Sequence, residues 1–280
     1  MRIVALGDNC LDVYLEQGHL TVGGNALNVV ANCLIAGHEA HYVGPVGSDT
    51  AAQEIVRSLN ANDISTDNVF PMVGPSGVTL IRLVDNDRQF LFEEFGVCGM
   101  WTPSMPESLT VDGQFDWIHV GGPRTMDTDF STIRQYSRWV SADVSTWDVP
   151  EDLDLNDVDV VFASSDDRPG EAILPLAQSI LNLGASEVVI MSGPHGSTWV
   201  DSDGLVPCNS HPAKRVDTCG AGDSYISGFM MARAAGAGPV EATEAGTVSA
   251  TKTIQHVGGF PQKTHPIPEW VLSDYEQYIV

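Results

Sequence analysis

Short apolar segments alternate with helical patterns along this chain, and that alternation constrains the fold more than any other feature. Predicted strands cover residues 3–6, 42–46, 117–120, 158–163 and 188–191, and predicted helices begin after residue 24 and cover 50–59 and 224–235. Strands that alternate with helices form a parallel sheet with helices on both faces. The sequence therefore predicts an α/β fold with three layers and a mainly parallel central sheet.

Two segments, 78–84 and 89–95, interrupt this pattern. They flank the turn-forming sequence Asp85-Asn86-Asp87 and predict a β-hairpin. A hairpin inside an α/β chain indicates a lid, and we assign a small β lid to residues 13–22 and 72–96 of a single domain that covers 1–280. Residues 261–268 are expected to wrap over the surface before a last short helix.

Composition and charge narrow the function classes. With 280 residues and 43% hydrophobic residues, the chain can bury the core of one large domain. The formal net charge of -24, from 37 acidic and 13 basic residues, argues against a nucleic-acid partner, since phosphate backbones are bound by Lys and Arg. We interpret most of this charge as a solubility or salt-adaptation signature, although the same field would attract a cationic group on a substrate.

The sequence also predicts where the protein works. No apolar segment approaches the roughly 18 residues of a membrane span, so no membrane partner is expected. The chain enters a strand pattern directly after Met1, without the pattern of a signal peptide. The five cysteines are scattered and form no Cys-x-x-Cys pair, which is typical of reduced thiols. These features predict a cytoplasmic protein.

Residues 217–223, with the sequence Asp-Thr-Cys-Gly-Ala-Gly-Asp, carry the strongest functional signal. Gly220 and Gly222 let the backbone turn tightly, so that N–H groups at the start of the next helix can point at phosphate oxygens. Asp223 would lie beside that anion, where a carboxylate is repelled unless it takes the proton of the group attacking the phosphate. The pattern favours phosphoryl transfer, although Gly-x-Gly-Asp alone also fits an ordinary helix N-cap. The sequence contains no Walker A motif.

Several separated motifs together resemble those of the ribokinase-like, or PfkB, carbohydrate kinases. Residues 217–223 are similar to the family signature Asp-Thr-x-Gly-Ala-Gly-Asp, and residues 23–28 are similar to its N-terminal glycine pair followed by Asn. Asp12 matches an early aspartate at a strand end. The resemblance covers nearly the whole chain. It implies a ribokinase-like three-layer α/β/α sandwich with a small β lid, and a sugar kinase that uses ATP and Mg²⁺.

Three further segments, 7–14, 85–88 and 252–256, resemble the fructoselysine 6-kinases within this family. This resemblance implies transfer of the γ-phosphoryl group of ATP to a primary hydroxyl, the 6-OH of fructoselysine or of a related fructosamine. A kinase of another small sugar or of a nucleoside is an open alternative. A catalytically silent sugar-binding relative is a third.

The resemblance assigns roles to residues around the substrate. Asp223 is the expected general base, and Gly220, Ala221 and Gly222 supply the anion hole. Contacts to the sugar are expected from Asp12, Gly23, Gly24, Asn25 and Asn28, and from Asp8, which could instead cap the neighbouring loop. In the lid, either Glu93 or Glu94 would meet a substrate amine, since successive side chains of a strand face opposite ways. Arg88 or Arg124 would pair with the carboxylate of a lysine moiety.

Further roles concern the nucleotide, the metal and the assembly. Nucleotide contacts are expected from Gly220, Gly222, Ser192, Gly193, Gly196, Ser249 and Thr253. Residues 164–167 read Ser-Ser-Asp-Asp where many family members have Asn-x-x-Glu, so Asp167 is the predicted magnesium ligand, with a solvated turn as the alternative. Asp143 is a weaker candidate near the phosphates. A monovalent cation near Asp217 and a homodimer formed through the lids are further expectations from the family.

Overall fold

The computed structural model describes residues 1–84, 87–111, 113–145, 149–165 and 173–278. The hairpin residues Asp85 and Asn86 and the predicted magnesium ligand Asp167 lie outside the described residues. The strands within these ranges are β1 (Arg2–Leu6), β2 (Cys10–Tyr14), β3 (His19–Gly23), β4 (Glu39–Val46), β5 (Val69–Pro71), β6 (Gly77–Val84), β7 (Asp87–Glu94), β8 (Phe115–Val120), β9 (Ser137–Asp143), β10 (Val160–Ser164), β11 (Glu187–Met191), β12 (Ser197–Val200), β13 (Leu205–Cys208) and β14 (His265–Pro266). The α-helices are α1 (Asn25–Ile35), α2 (Thr50–Ala61), α3 (Glu107–Thr110), α4 (Phe130–Arg134), α5 (Ile173–Leu181), α6 (Ala221–Ala234), α7 (Pro239–Thr253) and α8 (Glu269–Asp274).

Nine strands form the central sheet in the order β13-β12-β11-β10-β9-β8-β1-β4-β5. The pairs from β11 to β5 are parallel. At the other edge β12 and β13 add antiparallel strands, which the apolar pattern did not predict. The predicted α/β architecture with a mainly parallel sheet is confirmed.

Both faces of the central sheet are covered, as strand β1 illustrates. Ile3 and Ala5 are fully buried in one apolar cluster, together with residues of α1, α2, α6 and α7. Val4 and Leu6 are fully buried in a second cluster, together with residues of α3, α4 and α5. Because successive side chains of a strand point to opposite faces, one continuous apolar segment supplies both clusters. The result is three layers. No helix within the described ranges is long and apolar enough to cross a membrane.

A second, smaller sheet has the strand order β14-β3-β2-β6-β7, and we call it the lid sheet. Its antiparallel pair β6 and β7 is the hairpin expected from residues 78–95. Strand β2 pairs in parallel with β6 and antiparallel with β3. Within the segment expected to wrap over the surface, His265 and Pro266 form the two-residue strand β14 beside β3. The lid sheet thus joins three separate parts of the chain.

Candidate active site

A cavity of about 1050 Å³ lies between the central sheet and the lid sheet. The carboxyl ends of the parallel strands contribute to it, with Asp8 just after β1, Asp143 at the end of β9 and Met191 at the end of β11. The N-terminal turns of α1 and α6 open into the same cavity. Open parallel sheets bind their ligands at this edge, because strand ends and helix N-termini meet there.

The N-terminus of α6 forms the predicted anion loop. Gly220, the residue before the helix, has φ 70, and a Cβ atom there would lie 2.2 Å from the Cα atom of Gly259. Only glycine fits this position. The first N–H groups of an α-helix have no acceptor within the helix, and those of α6 begin at the wall of the cavity, which Gly220, Ala221 and Gly222 all line. They are placed to receive an anion.

Buried hydrogen bonds fix the segment that leads into this loop. The carboxylate of Asp217, which is 0% exposed, accepts from the hydroxyl of Tyr14 at 2.6 Å, the N–H of Cys219 at 2.9 Å and the N–H of Gly258 at 2.9 Å. Tyr14 belongs to the lid sheet, so this carboxylate connects three parts of the chain. The anion loop is therefore held in place from the lid side.

Asp223 lies in the first turn of α6 and lines the cavity. Its two carboxylate oxygens accept from the side-chain amides of Asn25 at 2.9 Å and Asn28 at 2.6 Å. Burial is the largest of the effects that together raise the pKa of Asp223 to about 7; the nearby Asp143 and Asp8 also raise it, and Asn28 lowers it. A carboxylate that titrates near neutral pH is suited to accept a proton from an alcohol.

The side chain of Asn25 connects two carboxylates. Its amide nitrogen donates to Asp143 at 2.7 Å as well as to Asp223. The second oxygen of Asp143 accepts from the N–H of Ser145 at 2.9 Å, and burial raises the pKa of Asp143. Both amide hydrogens of Asn25 are thus directed at protein carboxylates in this structure.

Two further carboxylates face the cavity beside α1. Asp12 in β2 accepts from the thiols of Cys10 at 3.3 Å and Cys219 at 3.8 Å, and burial raises its pKa to about 7. Asp8 accepts from the N–H of Ala26 in the first turn of α1 at 3.3 Å. Burial is the largest of the effects that together raise the pKa of Asp8 to about 6, and the charge of Glu93 contributes to that rise. Asp8 therefore both caps α1 and lines the cavity.

The tip of the lid hairpin contacts the anion loop. Arg88 donates from its guanidinium to the carbonyl oxygen of Thr218 at 2.7 Å, and the Thr218 hydroxyl donates to Asp87 at 2.6 Å. Arg88 also lowers the pKa of Asp223 through its charge. Glu93 and Glu94 both line the cavity, contrary to the expectation that only one of them would, and burial raises the pKa of Glu93. The lid sheet thus brings a cation to the anion loop and several carboxylates to the cavity.

Most residues predicted for the site meet at this cavity, and a few do not. The predicted residues on its wall are Asp8, Asp12, Gly24, Asn25, Asn28, Arg88, Glu93, Glu94, Asp143, Gly193, Gly196, Gly220, Ala221, Gly222 and Asp223. Gly23 lies behind the wall, where a Cβ atom would be 2.1 Å from a carboxylate oxygen of Asp12. Arg124 pairs with Asp127 at 2.5 Å and is not among the lining residues.

Some of the residues predicted to contact the nucleotide line the cavity, and Ser192, Ser249 and Thr253 do not. Ser192 is 1% exposed and its hydroxyl accepts from that of Ser165 at 2.8 Å. Ser249 lies against Gly228 of α6, and Thr253 is 3% exposed. The side of α7 that lines the cavity instead carries Thr247, Ala250 and Thr251, with Ile254 directly after the helix. Nucleotide contacts of Ser192, Ser249 and Thr253 stay predictions.

Metal ligation is not preformed in the part of the chain that the structure describes. Those residues contain no group of three or more His, Cys, Asp or Glu side chains that could hold a metal ion. Mg²⁺ keeps several of its waters and is commonly held by one or two carboxylates together with substrate phosphates. The carboxylate-lined cavity therefore fits a metal that enters with a nucleotide.

Sequence reasoning underrated or missed two residues near the carboxylate of Asp223. Asp143 was only a weak candidate, yet it shares the Asn25 amide with Asp223. His119 carried no prediction, although its Nε2 atom lies 3.1 Å from the Asn25 carbonyl oxygen. A histidine inside a continuous apolar strand was the available signal, because a buried polar side chain needs hydrogen-bond partners.

Comparison with known proteins decides the family. A model of the pfkB family carbohydrate kinases matches residues 3–124 and 159–264. The chain belongs to the PfkB family of carbohydrate kinases. Kinases of this family use ATP.

Individual relatives support this family and its fold. The chain is 30% identical over 260 residues to the fructoselysine 6-kinase of Shigella flexneri, covering 92% of this chain and 99% of that protein. It is 29% identical over 239 residues to the fructosamine kinase of Bacillus subtilis, covering 83% of each. The structure of Arabidopsis thaliana ribokinase complexed with ribose and ATP superimposes with a TM-score of 0.74 and 20% identity, over 93% of this chain and 96% of that chain. The predicted ribokinase-like fold is confirmed.

Proposed function

We propose that this PfkB kinase transfers the γ-phosphoryl group of ATP to the 6-hydroxyl of fructoselysine or of a closely related fructosamine. The observation that carries the proposal is a cavity that combines an anion loop with several carboxylates. The anion loop of α6 lines it, and the carboxylates of Asp8, Asp12 and Glu93 line the same cavity. The similar proteins of Shigella flexneri and Bacillus subtilis are a fructoselysine kinase and a fructosamine kinase, which supports the same substrate class.

The proposed reaction uses Asp223 as general base. Its carboxylate takes the proton of the 6-hydroxyl while that oxygen attacks the γ-phosphorus. The bond to the bridging oxygen of the β-phosphate breaks, and ADP leaves. The N–H groups at the start of α6 receive the phosphate charge, with Gly220, Ala221 and Gly222 as the anion hole. Such transfer depends mainly on positioning and charge stabilisation.

The carboxylates of the cavity suit a cationic substrate better than a neutral one. The secondary amine of a fructosamine is protonated at neutral pH and would offset the charge of Glu93 and Asp8. Asp8 is 7% exposed and burial raises its pKa, so a charge pair with it is worth more than in water. Glu93 is more exposed, although partial burial still raises its pKa. We assign Asp12 and Asn28 to the sugar hydroxyls and Glu93 to the amine.

The nucleotide and its metal complete the proposal. ATP would extend from the anion loop past Gly193 and Gly196 towards the side of α7 that lines the cavity. Mg²⁺, bound with ATP, would neutralise part of the phosphate charge, and Asp167 is the proposed protein carboxylate near it. We further expect a homodimer that pairs through β7, the mostly exposed outer strand of the lid sheet. Light scattering on the purified protein tests that assembly.

ADP release with Mg-ATP tests the function, with fructoselysine, other fructosamines, fructose, ribose and adenosine as acceptors. We expect the highest kcat/KM with fructoselysine. A preference for ribose or adenosine would keep the kinase and refute the fructosamine, and sugar binding without any ADP release would indicate a silent relative.

A charge-neutral variant separates the amine from the sugar. Glu93→Gln should lower kcat/KM for fructoselysine by about tenfold, which corresponds to roughly 1.4 kcal/mol, while turnover of fructose changes little. Glu16→Gln, at an exposed position between β2 and β3 of the lid sheet and not among the residues that line the cavity, is the control. Equal losses on fructoselysine and fructose would contradict the role of Glu93 at the amine.

A further inference from the structure

A buried chain of hydrogen bonds leads from the interior of the sheet to the amide that holds Asp223. The indole nitrogen of Trp117 donates to the hydroxyl of Ser141 at 2.8 Å, and Nδ1 of His119 lies 2.8 Å from the same hydroxyl. Nε2 of His119 lies 3.1 Å from the side-chain oxygen of Asn25. Trp117, His119 and Ser141 are each 0% exposed. No solvent competes for these bonds.

The chemistry at the Asn25 end fixes the direction of the bonds from Asn25 to Ser141. The amide nitrogen of Asn25 faces two carboxylates, so its oxygen faces His119 and accepts from Nε2. A neutral ring with its proton on Nε2 can only accept at Nδ1, so Ser141 directs its single hydrogen there and accepts from the indole N–H of Trp117 with a lone pair. This pattern requires a neutral imidazole with its proton on Nε2.

The surroundings of His119 keep it in that form. Burial lowers its pKa to about 3, so the ring stays neutral near neutral pH. The parallel strands β8 and β9 place His119 opposite Ser141 and Trp117 opposite Trp139. Trp117 stacks on Trp139 with ring centroids 5.1 Å apart and planes 6° apart. The chain of bonds thus starts from side chains that the sheet holds rigidly.

We propose that Trp117, Ser141 and His119 are positioning residues that lock the Asn25 amide with its NH₂ group towards Asp223. The proposal rests on the proposed function, because it takes Asp223 as the base. A reversed amide would direct its oxygen at the carboxylates of Asp223 and Asp143. It would replace two charge-assisted hydrogen bonds with repulsion. We call Trp117, Ser141 and His119 the relay. The relay excludes that orientation and so holds the Asp223 carboxylate in one position.

Disruption of the relay should change how Asp223 titrates. A hydrogen bond donated to the ionised carboxylate favours that form, so losing the Asn25 bond raises the pKa of Asp223. The other groups facing Asp223 stay in place, namely Asn28 and Arg88, which lower its pKa, and Asp143 and Asp8, which raise it. The acidic limb of the kcat profile should therefore move to higher pH. A merely structural role in the sheet would not move it.

The first test compares two buried serines of β9. Ser141→Ala removes the central hydroxyl of the relay, whereas Ser137→Ala removes a hydroxyl that donates to the carbonyl oxygen of Trp139 at 2.6 Å on the same strand. We expect Ser141→Ala to lower kcat about tenfold and to shift the acidic limb upwards, with KM for ATP nearly unchanged. Ser137→Ala should leave kcat and the limb as in the wild type. Indistinguishable kcat values and pH profiles for the two variants would overturn the proposal.

Two measurements on His119 complete the test. Long-range ¹H–¹⁵N correlation spectra of the labelled protein should show a neutral ring protonated on Nε2 between pH 6 and pH 8. This result needs no catalysis, so a proton on Nδ1 would overturn the relay whatever the activity, while a wild type that turns over no sugar would count against the proposed function instead. His119→Gln can still accept from Ser141 and donate to Asn25, so it should retain more kcat than His119→Leu. Equal kcat in both folded variants would also overturn the relay.

Discussion

Replacing Asp223 with Asn should remove catalysis while making the protein more stable above neutral pH. The pKa of Asp223 is raised from 3.8 to about 7. Since one pKa unit corresponds to roughly 1.4 kcal/mol, ionised Asp223 lowers the free energy of unfolding at pH 8 by about 4 kcal/mol. At pH 3 the group is protonated in both the folded and the unfolded chain, and this effect vanishes. Stability from Asp223 is thus complete below about pH 4 and lost as the pH rises to about 7.

The substitution also has a cost. Asp223 offers an acceptor oxygen to Asn25 and another to Asn28. An Asn side chain offers one acceptor and one N–H group, so one of the two amides would face another donor. A buried donor without a partner costs about 1–3 kcal/mol. The variant should therefore be about 1–3 kcal/mol more stable than the wild type at pH 8, and less stable at pH 4.

Activity should change in the opposite direction. Loss of a general base lowers kcat by about 10²–10⁴-fold. ADP release with fructoselysine measures this, and urea denaturation at pH 4 and pH 8 measures the free energy of unfolding. Asp203→Asn, at an exposed position in a turn, is the control and should change neither. Near-normal turnover by Asp223→Asn would refute the base, and a variant less stable at pH 8 than at pH 4, relative to the wild type, would refute the burial argument.

Three further substitutions test the anion loop and the lid. Gly220→Ala would bring a Cβ atom within 2.2 Å of a backbone carbon at φ 70, so kcat/KM for ATP should fall by about 10²-fold, as for other misplaced groups, in steady-state assays. Tyr14→Phe removes a donor to the buried Asp217 carboxylate and should lower the free energy of unfolding by about 1–3 kcal/mol in urea denaturation; unchanged stability would contradict the anchor. Arg88→Met removes a charge that lowers the pKa of Asp223, so the acidic limb of the kcat profile should move to higher pH, and an unmoved limb would contradict that coupling.

The fold was predictable where apolar segments were long and periodic. Strands β1, β4, β8 and β11 and helix α2 lie where the sequence predicted them. Strand β14 has two residues and pairs with β3 from more than 240 positions away, so no local pattern could reveal it. Strands β12 and β13 have four residues each, and their antiparallel pairing depends on the neighbouring β11. Tertiary pairing overrides weak local signals in such short segments.

The site was predictable in its loops and less so in its helices. The segment 217–223 indicated an anion loop from its residues alone, while Asp12 and Asn28 depended on resemblance to a family. For α7, the family resemblance selected Ser249 and Thr253 but not the side of the helix that faces the cavity. Ser249 packs against Gly228, whereas Thr247, Ala250, Thr251 and Ile254 recur at helical spacing along the side that lines the cavity. Only the neighbouring helix α6 decides that rotation.

Partial protonation of the cavity carboxylates explains how the site can accept ATP. ATP is a polyanion, yet carboxylates line much of the wall. Asp8, Asp12 and Asp223 have pKa values of about 6, about 7 and about 7, so near neutral pH part of their charge is absent. Each proton that Asp8 or Asp12 gives up adds negative charge beside the phosphates, and a cationic amine on the substrate would offset it. If the proposed substrate is right, fructoselysine should therefore hold its KM as the pH rises from 6 to 8, while the KM of neutral fructose should increase.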